Sequence, residues 1–126
     1  MIPRPIIAAT AAIAILSAAP ALAERWRTVP GGANATLAID LDSIARDGRW
    51  RVFHTRTTTL GVQTTIFGIV AMDCKAGITE LRGQAAVAAG KVLKKRVFPA
   101  DKRPRQKIAD PARDAAFRIV CGQKLK

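Results

Sequence analysis

The segment Gln63–Cys74, which reads QTTIFGIVAMDC, constrains the fold most, because it is the longest apolar run after the N-terminal segment. Its isoleucine, phenylalanine and valine residues favour a β-strand. Apolar side chains fall on both faces of the strand alternation, which is typical of a strand covered on both sides. The segment ends in one of two cysteines. It therefore predicts a central strand whose end is fixed by a disulfide.

The two cysteines, Cys74 and Cys121, are 47 positions apart. An even number of cysteines in an exported chain favours a disulfide. In the chain-entropy description, closing such a loop contributes roughly 4 kcal/mol by restricting the unfolded state. The alternatives are a metal-binding pair and a reactive thiol. Both are disfavoured, because His54 is the one histidine and there is no second C-x-x-C element.

Residues 1–23 are predicted to be a cleaved secretory signal peptide. Arg4 gives a basic start, residues 6–19 are apolar, and Ala21-Leu22-Ala23 forms an A-x-A cleavage site before Glu24. The apolar run is too short for a membrane span, which needs about 20 residues. We therefore expect an exported protein, periplasmic, secreted or at the cell surface, with no transmembrane span after cleavage. An uncleaved anchor helix is the alternative.

The mature chain, residues 24–126, is long enough for one small domain. Alternating apolar and polar residues, separated by Gly and Pro turns, predict about six antiparallel strands. Trp26 is expected to contact the core, and Thr79, Leu81, Gly83 and Ala85 are expected to share one face. A helix is the alternative for the Ala-rich end of the fifth strand, and Gly83 and Gly90 disfavour it. The predicted strands are Glu24–Val29, Ala35–Asp40, Arg49–Leu60, Gln63–Cys74, Ile78–Ala88 and Lys91–Phe98.

A C-terminal helix is predicted after the basic loop Pro99–Lys107. Asp110 suits the N-cap and Pro111 the first helical position. An apolar stripe at helical spacing then ends in the second cysteine, and Gly122 is placed to end the helix. The sequence therefore predicts an α+β fold, with a six-stranded antiparallel sheet and a C-terminal helix tied to it by a disulfide.

These spaced features together resemble those of the surface-adhesin protein E family of small secreted bacterial proteins. The resemblance implies an antiparallel sheet of about six strands, with the helix held on its concave face. It also implies binding of host extracellular-matrix proteins and haem, and a possible homodimer. His54 as a haem ligand rests on this resemblance alone, and we expect no cofactor. The matching residues are Trp26, Ile39-Asp40, Ser43-Ile44, Asp73-Cys74, Gly90-Lys91-Val92 and Val120-Cys121.

The net charge of +12 at pH 7 suggests an acidic partner, such as an acidic protein surface, a glycosaminoglycan or an anionic envelope glycolipid. A solvated edge strand that discourages aggregation is the alternative. Specific nucleic-acid binding is not expected, because Phe98 alone interrupts the basic run and gives no stacking platform. The candidate anionic-ligand surface is Lys91, Lys94, Lys95, Arg96, Lys102, Arg103, Arg105 and Lys107.

The sequence contains no convincing catalytic or metal site. A Cys74–His54 nucleophile pair is disfavoured against a structural cystine. Asp40, Asp42 and Asp47 lack the spacing of a calcium loop. We therefore expect a non-enzymatic secreted or periplasmic binding protein of the adhesin E type. The alternative is a basic envelope component that binds anionic glycolipid or another polyanion.

Overall fold

The computed structural model describes residues 24–125, which form one open antiparallel sheet and one helix. This confirms the α+β fold with a C-terminal helix. Single 3₁₀ turns occupy Leu41–Ser43 and Ala100–Lys102. The elements are β1 (Trp26–Val29), β2 (Ala35–Asp40), β3 (Ala45–Asp47), β4 (Trp50–Thr59), β5 (Thr65–Asp73), β6 (Ile78–Ala88), β7 (Lys91–Val97), β8 (Arg105–Lys107) and α1 (Ala115–Gly122).

The six longer strands follow the chain across the sheet, in the order β1-β2-β4-β5-β6-β7. They correspond to the six predicted strands. Two three-residue strands were not predicted. Strand β3 pairs with β4, and β8 pairs with the first residues of β6, inside the segment predicted as a loop. Strands β7 and β8 thus lie one after the other along the same edge of β6.

One face of the sheet, which we call the helix face, packs against α1. Phe53 of β4, Met72 of β5 and Val120 of α1 are all nearly inaccessible to solvent. Ile108, which follows β8, completes this core with Ile39, Ile44 and Ile119. The opposite face, which we call the open face, carries His54 and Ile69, and both are exposed.

The predicted disulfide is present between Cys74, just after β5, and Cys121, in the last turn of α1. The predicted helix start at Asp110 is wrong, since α1 begins at Ala115 with Asp114 as its N-cap. The Ile108 amide donates to the Gly77 carbonyl at 2.8 Å and extends the pairing along β6. The Asp110 carbonyl then accepts from the amides of residues 113 and 114, which closes a turn before the helix can begin.

Two β-bulges interrupt the sheet, one in the β5–β6 ladder and one between Ala86 and Val87 in the β6–β7 ladder. The first of them changes which residues of β6 share a face. In the β5–β6 ladder, Val70 pairs with Leu81 and Ile69 pairs with Gly83, so Arg82 is an extra residue. Leu81 therefore lies on the helix face and Gly83 on the open face. The expectation that these two residues share a face is wrong, because unbroken alternation does not survive an inserted residue.

Among residues 24–125, no helix is long and apolar enough to cross a membrane. The predicted signal peptide, residues 1–23, lies outside the part of the chain that the structure describes.

Candidate functional site

The open face carries two rows of side chains that run across the six long strands. Strand pairing places Ile69 opposite His54 on one side and Gly83 on the other. The next row places Phe67 opposite Arg56 on one side and Ala85 on the other. Large side chains on β5 therefore face the two smallest residue types on β6.

A groove follows from this arrangement, and we call it the β6 groove. Gly83 and Ala85 form its floor, Phe67 and Ile69 of β5 form one wall, and β7 forms the other wall. Its volume is about 280 Å³. The strand order explains the groove, because Val97 pairs with Gly83 and Lys95 pairs with Ala85. A strand with small residues between two strands with large ones leaves a trough along its length.

Gly83 is required for the depth of the groove. A Cβ atom at this position would lie 3.3 Å from the Arg96 carbonyl oxygen and 3.9 Å from Ile69 Cδ1. Any larger side chain would therefore fill the space between the two walls. Sequence reasoning missed this site. The signal was the small G-x-A pattern of β6 beside the apolar β5, which identifies a groove only once the bulge has set the faces.

Trp26 closes the β1 end of the groove. It was expected to contact the core, but it lies on the open face, because its partner in the β1–β2 ladder is Asp40 and not a core residue. The indole nitrogen donates to the Glu24 carboxylate at 2.7 Å. The Arg56 guanidinium lies 4.5 Å from the centre of the Trp26 rings, and the Phe67 ring meets the indole edge-on at 6.4 Å. Trp26 is thus held at three points.

The predicted anionic-ligand surface begins on β7, where every residue is exposed. Alternation divides its charges between the two sides of the sheet. Lys95 pairs with the groove-floor residue Ala85, whereas Lys94 pairs with Ala86, which lies on the other face. Arg96 and Lys94 line a shallow depression with Ile66 on that other face. The basic edge therefore presents cations to both sides.

The rest of the predicted surface lies in and just after the 3₁₀ turn Ala100–Lys102 and in β8. Lys102 and Lys107 are exposed. Arg103 and Arg105 instead form ion pairs with Glu80 of β6, at 3.3 Å and 2.9 Å. The structure thus separates the four cations of β7 from two arginines that already have an internal carboxylate partner.

Glu80 is a buried carboxylate at the centre of a charge cluster, which we call the Glu80 cluster and which consists of Glu80, Arg82, Arg103 and Arg105. Arg82 donates to Glu80 at 3.0 Å and also pairs with Asp47 of β3. Burial on its own raises the pKa of Glu80, but hydrogen bonds and positive charge from Arg82 and Arg105 outweigh burial. The net effect is that the pKa of this carboxyl lies below its ordinary value of 4.5.

Trp50 packs against the arginines of this cluster. Arg105 lies 5.3 Å and Arg82 lies 6.0 Å from the centre of the indole, and Arg49 approaches to 4.9 Å. Such cation–π contacts join the β3–β4 hairpin to β6 and β8. The sequence did not indicate this cluster, since the cluster and the Trp50 ring come from three separate segments, at residue 50, at residues 80–82 and at residues 103–105.

The residues considered as catalytic or metal-binding candidates lie in separate parts of the fold. Cys74 Sγ is bonded to Cys121, so it has no thiolate to pair with His54 while the disulfide is intact. His54 is exposed and lines the β6 groove. Asp40 caps the 3₁₀ turn, because its side chain accepts from the Asp42 amide. In the described part of the chain, residues 24–125, no three His, Cys, Asp or Glu side chains are grouped so as to hold a metal ion.

Comparisons of this chain with known protein families, with curated proteins and with solved structures found no match.

Proposed function

We propose that this chain is an exported, non-enzymatic binding protein that takes its ligand on the open face of the sheet. The observation that supports this most directly is the exposure of large apolar groups there: Ile69 is 41% exposed and Val97 is 70% exposed. Apolar groups clustered beside a groove are typical of a binding surface. The resemblance to the surface-adhesin protein E family points to the same class.

The predicted signal peptide and the disulfide support export, because disulfides persist in oxidising compartments. The test is expression of the full chain in a Gram-negative host, followed by fractionation and intact mass measurement. We expect a periplasmic or extracellular product that begins at Glu24, with two thiols that appear only after reduction. A cytoplasmic product with the full 126 residues would contradict export.

The binding function is tested with purified matrix proteins immobilised on a sensor surface. The wild-type chain is compared with a Phe67→Ser, Ile69→Ser variant, which removes apolar groups from the open face. We expect the variant to lose binding while its circular dichroism spectrum is unchanged. A matched control is Ile66→Ser, because Ile66 is exposed on the other face of the same strand. Equal loss in both variants would contradict the assignment to the open face.

A second candidate function is binding of a polyanion by the basic edge, and the complete exposure of β7 with its four cations favours it. Heparin is a suitable probe. A polyanion complex should weaken steeply between low and physiological salt, whereas a complex built on apolar contacts should not. Replacing Lys91, Lys94, Lys95 and Arg96 by Gln should abolish heparin retention. Removing Lys75, Arg118 and Lys124, which are exposed elsewhere, should reduce it only slightly.

A further inference from the structure

We infer that the β6 groove binds an amphiphile with a single apolar chain and an anionic head group. This inference names the ligand class of the open face and therefore rests on the binding function proposed above. It depends on three properties of the groove: its width, its apolar lining and the position of Lys95.

The width follows from the strand order. Strands β5 and β7 are both neighbours of β6, so their backbones are about 10 Å apart, twice the ordinary strand spacing. The walls then leave a slot about one extended hydrocarbon chain wide above Gly83 and Ala85. The volume of about 280 Å³ is near the lower limit of ligand pockets, which favours one chain over a bulky ring system.

The lining is apolar where a chain would lie. Phe67 and Ile69 stand on the β5 side, and Val97 stands on the β7 side. Trp26 adds an aromatic surface at the β1 end, where Arg56 and Glu24 hold its orientation. An apolar chain placed here would remove these exposed groups from water, which is the usual driving force for such binding.

The charge of the groove selects an acidic head group. Lys95 lies in the β7 wall directly beside the floor residue Ala85, and it is the cation of β7 that lines the groove on the open face. Glu24 is the acidic residue that lines the groove, and its carboxylate is engaged by the Trp26 indole nitrogen. A carboxylate or phosphate above Lys95 would form a charge-assisted hydrogen bond that a neutral head group lacks.

The test uses bromine-substituted dodecanoate as the probe and tryptophan fluorescence as the readout. The chain contains two tryptophans, and Trp50 is buried in its arginine stack away from the groove. A Trp50→Phe chain, which keeps an aromatic ring there, leaves Trp26 as the reporter. We expect saturable quenching of Trp26 at one probe per chain. Bromine-substituted dodecanol, which lacks the charge, should bind more weakly.

Two matched pairs of variants locate the probe. Lys95→Gln should weaken binding about threefold, the effect of removing one exposed ion pair, and Lys94→Gln should leave it unchanged. Ala85→Leu should weaken binding at least about tenfold by filling the groove, while Ala86→Leu on the opposite face should not. Thermal unfolding of each variant shows that it remains folded.

Several outcomes would overturn the inference. Equal weakening by Lys94→Gln and Lys95→Gln would indicate general electrostatic attraction. Binding to vesicles of anionic phospholipid without binding to dispersed probe would indicate a membrane surface as the partner. A change in oligomeric state on Ala85→Leu, without a change in probe binding, would indicate that a second copy of this chain occupies the groove.

The inference and the proposed function fail separately. If Trp26 is not quenched but the chain still binds matrix proteins or heparin, the groove is not an amphiphile site and the binding function stands. If the exported chain binds none of these probes, both proposals fail.

Discussion

At the scale of single residues, Arg51 shows how a charged side chain connects the sheet to the helix. Its Nη1 donates to the carbonyls of Val120 and Gln123, at 2.7 Å and 2.8 Å. Carbonyls at the end of a helix have no partner within the helix, and a cation there also compensates the helix dipole. A short helix of eight residues depends on such contacts more than a long one does.

Replacement of Arg51 by Met should therefore lower the free energy of unfolding by about 1.5–3 kcal/mol, the range for hydrogen bonds that involve a charged group. Urea unfolding followed by circular dichroism measures the change. Arg51→Lys is the control, since it keeps the charge and should recover part of the loss. An Arg51→Met protein as stable as wild type would show that water replaces both contacts.

Glu80 is the residue that makes stability depend on pH. Its pKa lies below the ordinary 4.5 in the folded protein, so its carboxylate stabilises the fold above that pH. This contribution is lost as the pH falls below about 4.5 and through the lowered pKa of the folded state. Glu80→Gln should lower the free energy of unfolding by about 3 kcal/mol at neutral pH. This is the low end of the range for breaking a buried ion pair, and it applies because the arginine partners of Glu80 keep contact with water.

The measurement is urea unfolding of wild type and Glu80→Gln across the acid range. The stability difference between the two should shrink as the pH falls below about 4.5. A matched control is Asp101→Asn, which changes an exposed acid in the 3₁₀ turn and should leave the profile unchanged. A stability difference that stays constant with pH would contradict the role of Glu80.

At the scale of elements, the disulfide joins the end of β5 to the last turn of α1. Cys74→Ser with Cys121→Ser should lower stability by about 4 kcal/mol through the loop of 47 positions. The helix should be lost first, since a helix of eight residues is too short to be stable in water without its attachment to the sheet. Comparison of oxidised, reduced and double-variant protein in urea checks this. Unchanged stability on reduction would mean that core packing alone holds α1.

The strands and the helix differ in how far the sequence predicted them. Residues 78–88 have the predicted bounds because turns at Gly77 and Gly90 limit them on both sides. Residues 35–40 have them because the strand follows the Pro30-Gly31-Gly32 turn and ends at Asp40, which caps a 3₁₀ turn. Strand β8 was missed, since three polar residues carry no pattern and pair only because β6 has a free edge beyond β7. The helix start was misplaced because Asp110 and Asp114 both suit an N-cap, and tertiary pairing of Ile108 decides between them.

The candidate site was less predictable than the fold. The cations of β7 follow from the sequence, and the structure places them on an exposed edge. The β6 groove depends on which residues share a face, and the bulge at Arg82 decides this. The Glu80 cluster depends on β8, which brings Arg105 beside β6. Both features arise from pairing between distant segments, which single-sequence periodicity does not specify.

At the scale of the whole molecule, the positive charge of β7 protects an open sheet edge. An unpaired strand offers its backbone to other chains, and repulsion between lysines discourages that pairing. Lys94→Thr, Lys95→Thr and Arg96→Thr together should therefore cause self-association, detected by light scattering. Lys75→Thr, Arg118→Thr and Lys124→Thr remove the same charge outside the strands and should leave the protein's oligomeric state unchanged. Equal behaviour of the two triple variants would contradict the role of the edge.

The extra residue at position 82 has an evolutionary consequence, because a bulge absorbs an inserted residue without changing the faces of the residues beyond it. Deletion of the single codon for Arg82 would restore strict alternation, with Leu81 on the helix face and Gly83 on the open face as before. The floor of the β6 groove would therefore keep Gly83 and Ala85, whereas the Glu80 cluster would lose Arg82. A one-codon insertion or deletion farther along β6, with no bulge to absorb it, would instead exchange the residues on the two faces as a block, a larger step than any series of point substitutions at that surface.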